Sequence, residues 1–199
     1  GKLTMEIRRW IEGNTDESGR ILFEVTFGNK LDSAQIVGWL AATTGREFIG
    51  GPYPRWEYVG FEDATAFGAK IEEIPPARFL ELLQLYNVSW VAAWHPRSRQ
   101  YLDKHPDMEG LEEVGPMRFY RVKREASYFL VGTGKVASRA PNSLSLEELS
   151  GPEVVLKYHF VKGLVTEPKS RIEPVAAGST VPFIRLIDPP PRLRIFLDP

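Results

Sequence analysis

The chain has 199 residues, with 25 Lys+Arg, 26 Asp+Glu, 3 His, no Cys and a formal net charge of -1. That balance excludes bulk attraction to nucleic acid or an anionic membrane surface. The lack of Cys excludes a disulfide framework, a thiol nucleophile and a thiolate metal site, and no apolar run is long enough to span a bilayer.

Leu3, Ile7, Trp10 and Ile11 recur at helical spacing and mark the apolar face of a first helix. A polar turn over 14–19 follows, and Ile21 to Phe27 reads as a buried strand. Asp32, with Gln35 three residues on, predicts the start of a second helix carrying Ile36, Val37, Trp39 and Leu40. Gly45 suits its left-handed end, and Glu47-Phe48-Ile49 forms a short strand. Pro76 opens a third helix with Phe79, Leu82, Leu83 and Tyr86 on one face, closed by Asn87. Val88 to Trp94 is nearly unbroken apolar sequence, as in a central strand covered on both faces. Ser98 is expected to cap a short helix ending before Pro106, and a hairpin follows around Gly115-Pro116. This order predicts a small two-layer or three-layer α/β domain with a central, mostly parallel sheet and right-handed crossovers.

Beyond Ala126 the pattern changes. All five Trp lie at or before Trp94, and nine of the 16 Pro fall from Ala126 onward. Periodicity becomes two: Tyr128 to Val131 is one strand, and Val154, Leu156, Tyr158 and Phe160 share a face of another. Pro182 to Ile187 and Leu193, Ile195 and Leu197 complete the set. Recurrent turn signals suit a β-sandwich of jelly-roll type. The expected division is 1–125 as the α/β domain and 126–199 as the β-sandwich module.

Three segments carry candidate chemistry. Gly50-Gly51-Pro52 leads into Tyr53, Arg55, Trp56, Glu57 and Tyr58. This loop follows a strand end, where open α/β sheets place ligands. Aromatic rings cover the apolar face of a pyranose, while Arg and Glu hold hydroxyls or a phosphate. His95 ends the apolar strand and is either a general base or a local cap. Glu24 is a carboxylate within an apolar strand, so it must be paired or perturbed. Arg20, Arg46 and Arg55 are its expected ion-pair partners. Glu62 and Asp63 keep open a two-carboxylate glycosidase, which needs acids facing one another across a cleft.

No dinucleotide fingerprint, nucleophile elbow or metal spacing is present, so no catalytic residue, cofactor or metal is assigned. Lys157 and His159 share a strand face that is expected to be exposed.

Two stretches carry a family resemblance: Gly45-Arg46-Glu47-Phe48-Ile49-Gly50-Gly51, and Phe79-Leu80-Glu81-Leu82-Leu83-Gln84-Leu85-Tyr86-Asn87-Val88-Ser89-Trp90-Val91-Ala92. With Met117 to Val122, Val155 to Phe160 and Arg171 to Val175, they resemble the soluble tail of bacterial multi-spanning membrane proteins. Those proteins are similar to GT-C-type glycosyltransferases, including oligosaccharyltransferase-like and 6-pyruvoyl-tetrahydropterin-synthase-related membrane proteins. Trp56-Glu57-Tyr58 departs from the acceptor motif of oligosaccharyltransferases by lacking its first Trp and its Asp, so that role is not transferred.

The resemblance implies a non-catalytic extracytoplasmic domain, periplasmic or cell-surface, that assists binding of a glycan or lipid-linked sugar acceptor. It implies a parent transmembrane segment upstream and no nucleic-acid partner. The opening Gly1, in place of Met, is read as the start of a cut or processed product. Two other classes stay open: a soluble carbohydrate-binding or glycoside-processing protein, and a structural or protein-interaction module.

Overall fold

A computed structural model describes residues 1–25, 34–49, 59–179 and 181–198. They form a mixed α/β chain of two units, Gly1–Ala126 and Ser127–Pro199. Each unit has its own apolar cluster.

In the first unit, α1 (Lys2–Asn14) buries Ile7, Trp10 and Ile11, and Thr15 closes it by donating its hydroxyl to the Ile11 carbonyl at 2.7 Å. Strand β1 (Arg20–Phe23) is buried throughout. Helix α2 (Ala34–Thr44) ends at Gly45, whose φ of +68° is the left-handed stop that glycine adopts without penalty. Its expected cap, Asp32, lies outside the described residues.

Strand β2 (Phe48–Ile49) follows, and beyond residue 58 comes a meander of three short strands: β3 (Phe61–Glu62), β4 (Thr65–Ala66) and β5 (Ala69–Lys70). A single 3-10 turn at Ile71–Glu73 leads to α3 (Pro76–Leu85), which has Pro76 in its first turn. Strand β6 (Val88–Ala93) is buried at every position. Helix α4 (Pro96–Lys104) and the hairpin of β7 (Met108–Val114) and β8 (Met117–Val122) complete the unit.

The sheet order is β2-β1-β6-β8-β7. β1 is parallel to β2 and β6, whereas β8 is antiparallel to both β6 and β7. The sheet is therefore mixed, not mostly parallel. The turn at Gly115-Pro116 is too short for a crossover and returns the chain antiparallel.

Alternation sorts the two faces. Ile21, Phe23, Trp90, Ala92 and Phe119 cluster with Ile7, Trp10, Ile11, Ile36 and Leu40 of α1 and α2. Trp10 stacks on Phe119 with ring centroids 3.8 Å apart. Tyr120 points the other way and donates its hydroxyl to Asp103 of α4 at 2.8 Å. Phe79 of α3 meets Tyr101 of α4 edge-on.

The second unit comprises β9 (Phe129–Ala140), β10 (Ser143–His159), β11 (Leu164–Glu167), β12 (Arg171–Val175), β13 (Phe183–Ile187) and β14 (Leu193–Leu197). They make one sheet, with β10 shared. Its first part pairs with β14, its last part with β13, and β9 runs along its other edge. Because β11 also lies beside β12, the sheet curls into a nearly closed barrel around Leu144, Leu146, Val154, Leu156 and Ile195. The structure thus has one curled sheet where the period-two pattern suggested two stacked ones. Glu148 and Gly151, both at positive φ, let β10 bend through the corner. Of the face expected to be open, His159 is exposed but Lys157 is only 8% exposed and Val155 2%, so it is covered at those two positions.

Candidate functional site

β1 lies between β2 and β6, which are reached through different helices, the point in an open α/β sheet where ligands are usually placed. Glu24 sits at that point, one residue past β1, and is fully buried. Its Oε1 accepts from the Ala64 N–H at 2.8 Å and from the Ser98 hydroxyl at 2.6 Å. Its Oε2 accepts from the Trp94 N–H at 2.9 Å and the His95 N–H at 3.0 Å. Both oxygens are therefore saturated by donors from two separate stretches of chain. Burial pushes the carboxyl above its ordinary 4.5, and the hydrogen bonds from Ser98 and the three amides act against that rise.

No arginine among the described residues supplies the expected ion pair. Arg20 pairs with Glu47 at 3.0 Å and donates to the Tyr86 carbonyl at 2.8 Å. Arg46 donates to the Thr15 hydroxyl and carbonyl at 3.0 and 2.9 Å. Arg55 lies outside the described residues. Backbone amides at a strand end and a turn take the place of a guanidinium.

Ser98 is not the cap of α4, because its hydroxyl is committed to Glu24. His95 is the cap: its Nδ1 accepts from the Arg97 N–H at 3.2 Å. Its ring stands edge-on to Trp94, centroids 5.4 Å apart. The Trp94 Nε1 donates to the Val25 carbonyl at 3.4 Å, so the indole is tied to the chain beyond β1.

Beside this indole lies an open depression of about 410 Å³, lined by Trp94, Pro96, Arg99, Gln100, Asp103 and Lys104. The α4 positions are three or four residues apart and so share one side of the helix. A charged network stands behind it. Arg118 reaches Asp103 at 3.3 Å and Glu113 at 3.4 Å, and Arg99 also pairs with Glu113. Burial and the Asp103 hydrogen bond raise the Tyr120 hydroxyl far above its usual range. Burial also pushes Tyr101 up to about 12, and its hydroxyl donates to the Ile74 carbonyl.

Of the residues singled out from sequence, Glu24 and His95 come together through the His95 amide. Tyr53, Arg55, Trp56, Glu57 and Tyr58 lie outside the described residues. Glu62 is half-buried, with its carboxyl raised by burial and by the Asp63 charge. Asp63 is exposed, and it forms with Ala64 a turn at φ +43° and +62°. The amide of that turn is one of the Glu24 donors. Arg99, Gln100 and Asp103 were not singled out from sequence. Their spacing behind Trp94, on a short polar helix, is the signal that would have found them. Among the described residues no group of three His, Asp or Glu side chains converges to hold a metal ion. No helix among them is long and apolar enough to cross a membrane. No family model, curated protein or solved structure matches the chain.

Proposed function

We propose that this chain is a non-catalytic glycan-binding domain on the extracytoplasmic side of a membrane glycosyltransferase-like protein, and that it holds sugar beside Trp94. The reading rests on one observation above the rest. The carboxylate placed where an acid–base group would act, Glu24, is fully buried with both oxygens occupied by two donors each. It positions Trp94 and His95 and has no lone pair turned toward a substrate. What opens to solvent is a shallow depression lined by the Trp94 indole and by Pro96, Arg99, Gln100, Asp103 and Lys104 of α4. An aromatic ring beside polar and charged side chains suits the two chemistries of a pyranose, an apolar C–H face and a hydroxyl rim. The membrane parent and the lipid-linked acceptor come from the family resemblance of the Gly45 and Phe79 segments.

The test is glycan-array and titration binding with the isolated chain, alongside assays for sugar hydrolysis and glycosyl transfer. Binding lost in Trp94→Ala, with no turnover, supports the reading. Clear turnover, or glycan binding indifferent to Trp94→Ala, overturns it.

A further inference from the structure

The outer face of the β-rich unit carries a second arrangement, independent of the Trp94 depression. Register places Ser138 of β9 opposite Ser145 of β10, Ser145 opposite Arg194 of β14, and Arg194 opposite Glu167 of β11. These four side chains form one transverse row on the side opposite Leu144, Leu146, Leu193 and Ile195, which fill the core. At about 4.8 Å between strands the row spans about 14 Å. Beside it runs a second row, with Lys135 opposite Glu147 and Arg192 reaching Glu147 at 3.7 Å. The first row, with Glu147, Arg192 and Pro168 but without Lys135, lines an open groove of about 530 Å³.

The charges in this groove are matched. Arg194 meets Glu167 at 3.3 Å, and its guanidinium lies 4.3 Å over the Phe196 ring, which fixes its plane. Because each arginine stands against a carboxylate, the groove offers little net field to an anionic chain. The Ser138 and Ser145 hydroxyls have no partner among the described residues. β10 is paired on both sides here, by β9 and β14, and β14 by β10 and β11. A ligand lying across them therefore finds side chains and not ladder amides, which argues against an added peptide strand.

We propose that this face binds a neutral oligosaccharide lying across β9, β10, β14 and β11. Vicinal hydroxyls pair with the two serines and with the fixed donor and acceptor planes of Arg194 and Glu167. It is a second glycan site on the chain, distinct in residues and unit from the depression at Trp94.

The test uses the full chain and follows amide shifts by NMR during titration with maltotriose, cellotriose, mannotriose and xylotriose at millimolar concentration. The expected result is a shift at Ser138, Ser145, Glu167 and Arg194 with at least one trisaccharide. Affinity should fall about tenfold or more in S138A/S145A, as loss of two hydrogen bonds implies. Arg194→Ala, an exposed change, should weaken binding while leaving the fold intact by circular dichroism. Trp94→Ala should leave these shifts unchanged, so failure at one site is told apart from failure at the other. The proposal is overturned if no trisaccharide shifts the row, or if S138A/S145A binds as the parent does.

Discussion

Two charged sites, one in each unit, are handled in opposite ways. In the α/β unit a single carboxylate, Glu24, is taken fully out of water and given four donors. In the barrel unit, pairs such as Arg194–Glu167 and Arg192–Glu147 stay on the outer face, where solvent shares them. An unmade hydrogen bond costs far more inside a protein than at its surface. The same chemical change should therefore have unequal effects in the two places.

The contrast is broken most directly at Glu24. Glu24→Ala leaves four donors unpaired, three of them backbone amides that cannot move away. We expect a loss on the order of 4 kcal/mol in urea unfolding. A loss below about 1 kcal/mol would mean that water replaces the carboxylate, and that the site is not dry. A second, smaller effect is expected from pH. The Glu24 carboxyl is raised above 4.5 in the folded chain, so folding binds its proton more tightly than the unfolded chain does. Its contribution is thus present at low pH and lost as pH rises through the folded value. Measured against Glu24→Gln, which cannot titrate, the parent's relative stability should fall as pH is raised from below 4.5 toward neutrality. The slope can reach at most about 1.4 kcal/mol per pH unit. A rising slope would show that the four donors outweigh burial. The smallest effect belongs to the barrel. A double-mutant cycle on Arg194 and Glu167 should return less than about 1 kcal/mol of coupling, reduced further by salt.

Much of the α/β unit was legible in sequence because its signals are side-chain patterns. The Leu3–Ile11 periodicity, the Phe79–Tyr86 face and the unbroken run from Val88 each became the predicted element. Glu24 stood out for the same reason, as a charge among apolar neighbours. Its partners did not, because amides of residues 64, 94 and 95 carry no side-chain signature and an ion pair was expected instead. The meander over 61–70 was missed altogether. Its turns run through Asp63-Ala64 and Phe67-Gly68 at positive φ, where Ala64 and Phe67 are residue types that do not announce such a backbone. In the barrel unit four strands were found in part, whereas β11, β12 and the first part of β10 were missed. β10 runs 17 residues through Glu148 and Gly151, and local composition reads such a bend as an end. Whether strands form one curled sheet or two stacked ones depends on pairing between distant segments, which periodicity does not encode.

The Glu24 contacts also bear on the order in which this unit can assemble. Ala64 is 40 residues from Glu24 in sequence, and Ser98 is 74. Each contact closes a long loop before any reward is gained, the kind of pairing that slows folding. The strand end is therefore completed only after β6 has docked beside β1. A nascent chain that has not yet reached Trp94 already contains the acid but lacks three of its four donors. Completion of this strand end is thus a late event for the unit, reached when the Trp94–Ser98 segment arrives to enclose one carboxylate.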